Sequence, residues 1–288
     1  MKCIPVAFLF FISPVVVKSQ APKIELHTIF TCIDSATYIQ LFNNAFIKDS
    51  LFLCRELSTT TTAESYTGKY FIGASATLEF FAPRPSGAIG DQFADLGIEI
   101  RTGKLNDQRY FLQRAKRNNI AYQMDTTKLE DSIKPLLFYT DIKIKDTAVT
   151  NRFAISLIEY QKEYLAAYGL STAAMNRFMN NKVLNEKLHA GKKYPRLFSG
   201  VTKIVLQLNE ASYQYLKKTM DLLGYIQRGN IFTGHGLTIQ YSIKENAPFR
   251  LTSIAISLLK AMPYQKIIIS DKLKFEINGK AGQFDFIY

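Results

Sequence analysis

The chain has 288 residues, 47% of them hydrophobic and 21% charged, with 15 Gly and 9 Pro. That composition excludes a disordered or fibrous chain and suits one large domain or two of ordinary size. The formal net charge is +12, but it is dispersed, and no zinc finger, basic helix repeat or RNA-binding aromatic motif accompanies it, so no nucleic acid partner is expected.

Lys2 followed by the apolar run Ile4 to Val17, interrupted at Pro5 and Pro14, reads as a signal peptide over residues 1–19. It is too short and too broken to cross ~30 Å of hydrocarbon. The expected destination is therefore export, periplasmic or secreted, with no transmembrane segment after cleavage. Removing the leader takes away Lys2 and Lys18 and no acid, which lowers the net charge to about +10. Cys32 and Cys54 remain, an even pair on what read as neighbouring strand segments. In an exported protein a disulfide can join such a pair, though spacing alone does not establish it.

Ile24 to Ile33 reads as a strand containing His27, and Asp34 or Ser35 as the N-cap of a short helix to about Asn43. Leu51 to Leu57 is a second strand, and the threonine-rich Ser58 to Ser65 a polar connection. Lys69 to Ile72 and Ala76 to Ala82 complete a strand–helix–three-strand unit, its last two strands joined at Gly73–Ser75. The second of these carries Glu79 among apolar and aromatic residues. A carboxylate buried there needs a cation, a metal or hydrogen-bond donors. Lys69, Lys23 and tyrosine hydroxyls are alternatives to a metal.

The Pro- and Gly-rich Pro83 to Gln92 is a linker, after which the order restarts. Leu96 to Arg101 is a strand, Asn106 or Asp107 caps a basic helix to about Asn118, and Ile120 to Met124, Leu136 to Ile144 and Arg152 to Tyr160 are strands. Alternation puts Phe153, Ile155, Leu157 and Glu159 on one face. A mostly helical stretch, Leu165 to Leu188, precedes a basic loop at Lys192–Arg196. A third start follows: strand Lys203 to Leu208, a helix from Asn209 to Leu223 ended by Gly224, and strand Leu237 to Ile243. The remainder is β-rich, with Asn278-Gly279 as a hairpin-turn signal.

The internal similarity is visible in Ile33-Asp34-Ser35-Ala36-Thr37-Tyr38 against Leu208-Asn209-Glu210-Ala211-Ser212-Tyr213. It is visible again in Ala76-Thr77-Leu78-Glu79-Phe80 against Leu237-Thr238-Ile239-Gln240-Tyr241. The repeated βαβββ order, with His27 in the first strand and Glu79 in the last, resembles the glyoxalase/bleomycin-resistance superfamily, or vicinal oxygen chelate proteins. Asp34 to Tyr38, Tyr66 to Tyr70 and Leu78 to Pro83 more narrowly resemble a glyoxalase-like family of unknown function.

The resemblance implies an α+β fold of paired βαβββ modules whose curled mixed sheets form a cup. It places the modules at 20–85 and 94–165, within 20–165. A helical connection at 166–198 and a degenerate C-terminal module at 199–288 follow. It also implies metal positions on the first and last strands of each module. These map to His27, Glu79 and Glu159, while the fourth falls near Gly97–Ile98, where no ligand stands. Glu99 is set aside because alternation turns it away from Ile98. One His and two carboxylates would suit Fe²⁺, Mn²⁺ or Zn²⁺. Tyr66, Tyr70 and Tyr139 are the expected pocket donors.

Other chemistries are not signalled. The three histidines are His27, His189 and His235, and no zinc-protease, nucleophile-elbow, phosphate-loop or dinucleotide motif is present. The sequence and the resemblance thus lead to an exported glyoxalase-like protein with a small-molecule cup between modules one and two, which either binds the molecule or performs metal-assisted chemistry on it. The alternative is a metal-free ligand-binding or interaction module without catalysis.

Overall fold

The computed structural model describes residues 20–62, 65–85, 88–130, 134–146, 152–189 and 196–288. The leader expected at 1–19 and residues 190–195 of the basic loop lie outside them.

The first module comprises β1 (Ile24–Cys32), α1 (Ser35–Asn43), a π-helical turn at Phe46–Leu51, β2 (Leu53–Thr60), β3 (Ser65–Ile72) and β4 (Thr77–Phe81). Asp34 starts α1 by accepting from the Thr37 amide at 3.0 Å and its hydroxyl at 2.7 Å, which satisfies an otherwise orphaned first-turn donor. The threonines read as a connection partly extend β2, as their β-branched side chains favour. The second module repeats the plan with β5 (Leu96–Thr102), α2 (Gln108–Arg117), β6 (Tyr122–Leu129), β7 (Leu136–Ile144) and β8 (Phe153–Tyr160).

The two modules share one eight-stranded mixed sheet in the order β2-β3-β4-β1-β5-β8-β7-β6. Within each, the first strand runs parallel to the last, and β1 and β5 join the modules antiparallel. The sheet curls until its edges meet. The Thr62 amide donates to the Lys128 carbonyl at 3.2 Å, and that of Glu130 to the Thr60 carbonyl at 3.0 Å. Such closure removes much of the edge-strand hazard.

Three short helices follow: α3 (Lys162–Ala167), α4 (Thr172–Met175) and α5 (Asn181–Leu188). They pack Tyr164, Leu165, Met175, Met179 and Leu184 against Tyr160, Phe138 and Tyr139 of the sheet. Buried Arg101 ties them down, its guanidinium donating to Asn181 Oδ1 at 2.7 Å and the Met179 carbonyl at 2.7 Å.

A six-stranded sheet forms from β9 (Phe198–Leu208), β10 (Ile226–Arg228), β11 (Ile231–Gly234), β12 (Leu237–Ile243), β13 (Arg250–Ile268) and β14 (Leu273–Phe286), with α6 (Glu210–Leu223) following β9. Its order, β10-β11-β12-β9-β13-β14, is one βαβββ unit completed by a long hairpin instead of a fourth unit. Two readings change here. The stretch between Gly224 and Leu237 holds the β10–β11 hairpin. Asn278-Gly279 lies inside β14, opposite a shift in pairing near Met262, and the chain reverses instead around residues 269–272. Gly279, at φ +59°, supplies a left-handed kink within the strand.

One buried cluster runs through both sheets. At its centre Phe52 stacks on Phe71 at 4.2 Å between ring centroids and also meets Phe198, Phe275 and Phe284. Aromatic contacts of this kind add to the burial of large apolar surfaces.

Cys32 and Cys54 are not bridged. They lie on β1 and β2, which β3 and β4 separate in the sheet. Three strand spacings of about 4.8 Å put them roughly 14 Å apart, beyond the reach of a disulfide. Protein spanning residues 20–288, unfolded in guanidinium without reductant, is expected to titrate with two thiols per chain. A count near zero would reveal the bridge.

Candidate functional site

Strand alternation divides the eight-stranded sheet into a core face and a concave face. Leu78 and Phe80 of β4, and Ile98 and Ile100 of β5, are buried in the core. Glu79, Phe81, Gly97 and Glu99 therefore face the other way. That side encloses a cavity of about 470 Å³, walled by Phe30, Tyr66, Glu79, Phe81, Glu99 and Tyr139 among others. The volume suits a small organic ligand.

Two glycines shape the wall. A Cβ on Gly68 would lie 2.7 Å from Glu79 Oε1, and one on Gly97 would lie 1.9 Å from the Phe30 ring. Their missing side chains let the carboxyl and the ring lie against the sheet. Glu79 is 8% exposed, and its Oε1 has no hydrogen-bond partner among the described residues. Burial pushes its pKa up to about 8; the Tyr70 hydroxyl opposes that rise, and the charge of Glu99 adds to it. Glu99 is raised to about 7, by burial first and Asp141 second, against the pull of Lys143 and a hydrogen bond from Thr28. Arg84 and Lys143, at the cavity wall, pair with Asp91 and Asp141, the latter at 2.7 Å.

Of the residues expected from sequence, Glu79, Tyr66 and Tyr139 line this cavity, and Tyr70 reaches Glu79 from beside it. Lys69, a candidate partner for Glu79, instead pairs with Glu56 at 3.4 Å.

His27 and Glu159 do not line the cavity. His27 occupies a bulge where the pairing of β1 with β5 shifts between Leu26 and Thr28. Its Nε2 lies 2.7 Å from the Tyr160 hydroxyl. Burial, then Arg101, lowers its pKa to about 3, with Asn181 opposing.

Glu159 sits at the end of the apolar row Phe153, Ile155, Leu157, and that row faces the core. Its carboxylate accepts from the Asn106 amide at 2.7 Å, the Gln108 amide at 3.0 Å and the Thr102 hydroxyl at 3.1 Å. It anchors the start of α2, where backbone donors and the helix dipole favour an anion.

Glu99, set aside on sequence, does line the cavity. The signal that could have found it was the apolar row Leu96, Ile98, Ile100, which marks the core face and so assigns Glu99 to the cup. In the cup, Thr28 lies opposite Glu99, and Glu99 opposite Ser156. The first- and last-strand positions thus offer two carboxyls and two hydroxyls without an imidazole. Among the described residues no group of three or more His, Cys, Asp or Glu could hold a metal ion. His27, Glu79 and Glu159, expected to share a divalent metal, are thus not brought together.

The paired βαβββ modules around a cup are a fold of the vicinal oxygen chelate type. A family of unknown function, DUF5829, matches residues 26–286. No curated protein matches the chain. Among solved structures it is similar to a xylose isomerase-like TIM barrel/4-hydroxyphenylpyruvate dioxygenase fusion protein, with a TM-score of 0.46 and 12% identity over 86% of this chain and 39% of that one. It is also similar to the Mn(II)-bound glyoxalase from Novosphingobium aromaticivorans, with a TM-score of 0.43 and 9% identity over 84% and 67%. A catechol 2,3-dioxygenase gives 0.41 and 10% over 80% and 69%. The chain spans well under half of the fusion protein.

Two outcomes are expected. Glu159→Ala leaves two backbone amides and a hydroxyl without their acceptor and should destabilise by about 3 kcal/mol, read by urea unfolding. Glu79 has a folded pKa raised above its unfolded value. Its contribution is therefore fully present below about pH 4.5 and is lost as pH rises to about 8. Wild type should lose stability relative to Glu79→Gln across that window. A pH-independent difference would refute the burial of this carboxyl.

Proposed function

This chain belongs to the DUF5829 family, and we propose that it binds a small organic molecule in the cup of its eight-stranded sheet. The observation that carries the reading is the Oε1 of Glu79, buried and without a hydrogen-bond partner among the described residues, on a side chain that lines a cavity of about 470 Å³. An unsatisfied buried polar atom costs about 1–3 kcal/mol, and a ligand donor would remove that cost. Glu99, Tyr66 and Tyr139 supply further polar contacts, and Phe30 and Phe81 supply apolar surface. The apolar leader at residues 1–19 supports an exported setting for this binding. Among the described residues no helix is long and apolar enough to cross a membrane.

A second reading, proton transfer to or from the bound molecule, is favoured by the carboxyl pKa values of about 8 and 7. Values near the working pH are those useful in general acid–base catalysis.

The test is thermal unfolding with small organic compounds of varied charge. At 100 times its Kd a ligand stabilises by about 2.7 kcal/mol, a shift of several degrees. Ala154→Phe, placed on the cavity wall, is expected to abolish the shift while remaining folded by circular dichroism. No compound shifting wild type, or equal shifts in both proteins, would defeat the reading.

A further inference from the structure

We propose that the ligand is an organic cation, its ammonium nitrogen held by Glu79 and Glu99 and its carbon body lying against Phe30, Tyr66 and Phe81. This rests on the reading of the cup as a small-molecule site and names the class of molecule it takes.

The charges facing the cavity argue for that class. They are Glu79, Glu99, Asp125 and Asp141 on one side and Arg84, Lys128 and Lys143 on the other. Arg84 is engaged by Asp91 and Lys143 by Asp141. Lys128 is exposed on β6, where the sheet closes, and Asp125 accepts from Gln123 at 2.7 Å. Glu79 and Glu99 have no salt-bridge partner among the described residues. The chain is strongly basic, yet the buried charged groups of its cup without a salt bridge among the described residues are the acids Glu79 and Glu99.

The Glu79 oxygen without a partner needs a donor. Once the pair is ionised, a ligand anion would bring a third negative charge to two carboxyls already in electrostatic contact. A neutral ligand can donate a hydrogen bond but leaves both carboxyls without a salt-bridge partner. An ammonium supplies donors and charge together. The aromatic wall favours the same choice, because the faces of Phe and Tyr rings attract cations.

The pH dependence follows from the groups packed around the pair. Tyr70 of β3 donates to Glu79, Thr28 of β1 donates to Glu99, and Asp141 and Lys143 of β7 act on Glu99 with opposite sign. In the free cup the carboxyls hold protons up to about pH 8 and about pH 7. A bound cation lowers both pKa values, so binding releases protons. Affinity therefore rises with pH between about 6 and 8 and levels off above.

Three probes of nearly equal shape separate the classes: phenethylamine, phenethyl alcohol and phenylacetate, titrated calorimetrically at millimolar concentration into protein spanning residues 20–288. The amine is expected to bind at least tenfold more tightly than the other two. Its affinity should rise at least tenfold from pH 6 to pH 8, and its heats should vary with buffer ionisation enthalpy in the sense of proton release. Glu79→Gln and, separately, Glu99→Gln should each weaken the amine at least tenfold, so the test survives if one variant misfolds. No binding of the amine, tighter binding of the alcohol or acid, or affinity that falls with rising pH overturns the proposal. If a neutral or anionic compound instead shifts wild type but not Ala154→Phe, the cup remains a binding site and only the cation assignment fails.

Discussion

The antiparallel pairing of β1 with β5, interrupted by the bulge at His27, is the constraint on which the cup depends. Side chains alternate along a strand, so a one-residue slip exchanges the faces. Before the bulge, Ile24 and Leu26 enter the core; after it, Ile29 does, and Phe30 faces the cavity. Were β1 regular there, alternation from Leu26 would put Phe30 on the face of Leu26. The same pairing sets Thr28 opposite Glu99 and Phe30 opposite Gly97, and parallel pairing sets Glu79 beside Phe30. Register thus converts three local sequences into one cup wall.

Closure then turns a concave sheet into a cavity. The backbone bonds between Thr60–Thr62 and Lys128–Glu130 draw the edge strands together. Helices α3 to α5 pack against the Tyr160 end through an apolar cluster and the buried Arg101. The six-stranded sheet buttresses the opposite, convex side through the phenylalanines around Phe52. Its own unit keeps the order of a βαβββ module, but Gln240 stands where Glu79 stands in module one, and a hairpin replaces a fourth unit. Core support and the cup are divided between the two sheets.

That division bears on the electrostatics. Carboxyls excluded from bulk water are costly in their charged form, so burial raises their pKa values. Glu79 and Glu99 carry that cost on the cup face. Glu159, equally buried, has three donors at the start of α2 and is a satisfied structural anion. Glu79 and Glu159, each on the last strand of its module, thus differ in chemistry because they leave the sheet on opposite faces.

Much of the architecture was legible beforehand. The Asp34 and Asn209 caps, the Gly224 terminator, the strand Leu136–Ile144 and the recurring βαβββ order all depend on local propensity and periodicity, and each stands in the structure. Tyr66, Tyr139 and Glu79 were identifiable because alternation within β3, β7 and β4 is regular. Local pattern was insufficient where a residue's role depends on a neighbour distant in sequence. His27 was displaced by a bulge that only pairing with β5 defines, and Asn278-Gly279 was drawn into a long strand by its partner near Met262. Cys32 and Cys54 were separated by a strand order that places β3 and β4 between them. The sequence by itself determined the modules and the two faces of each strand. Only the tertiary structure decided which face became cup and which became core, because that choice depends on what packs against the sheet, and no single strand contains that information.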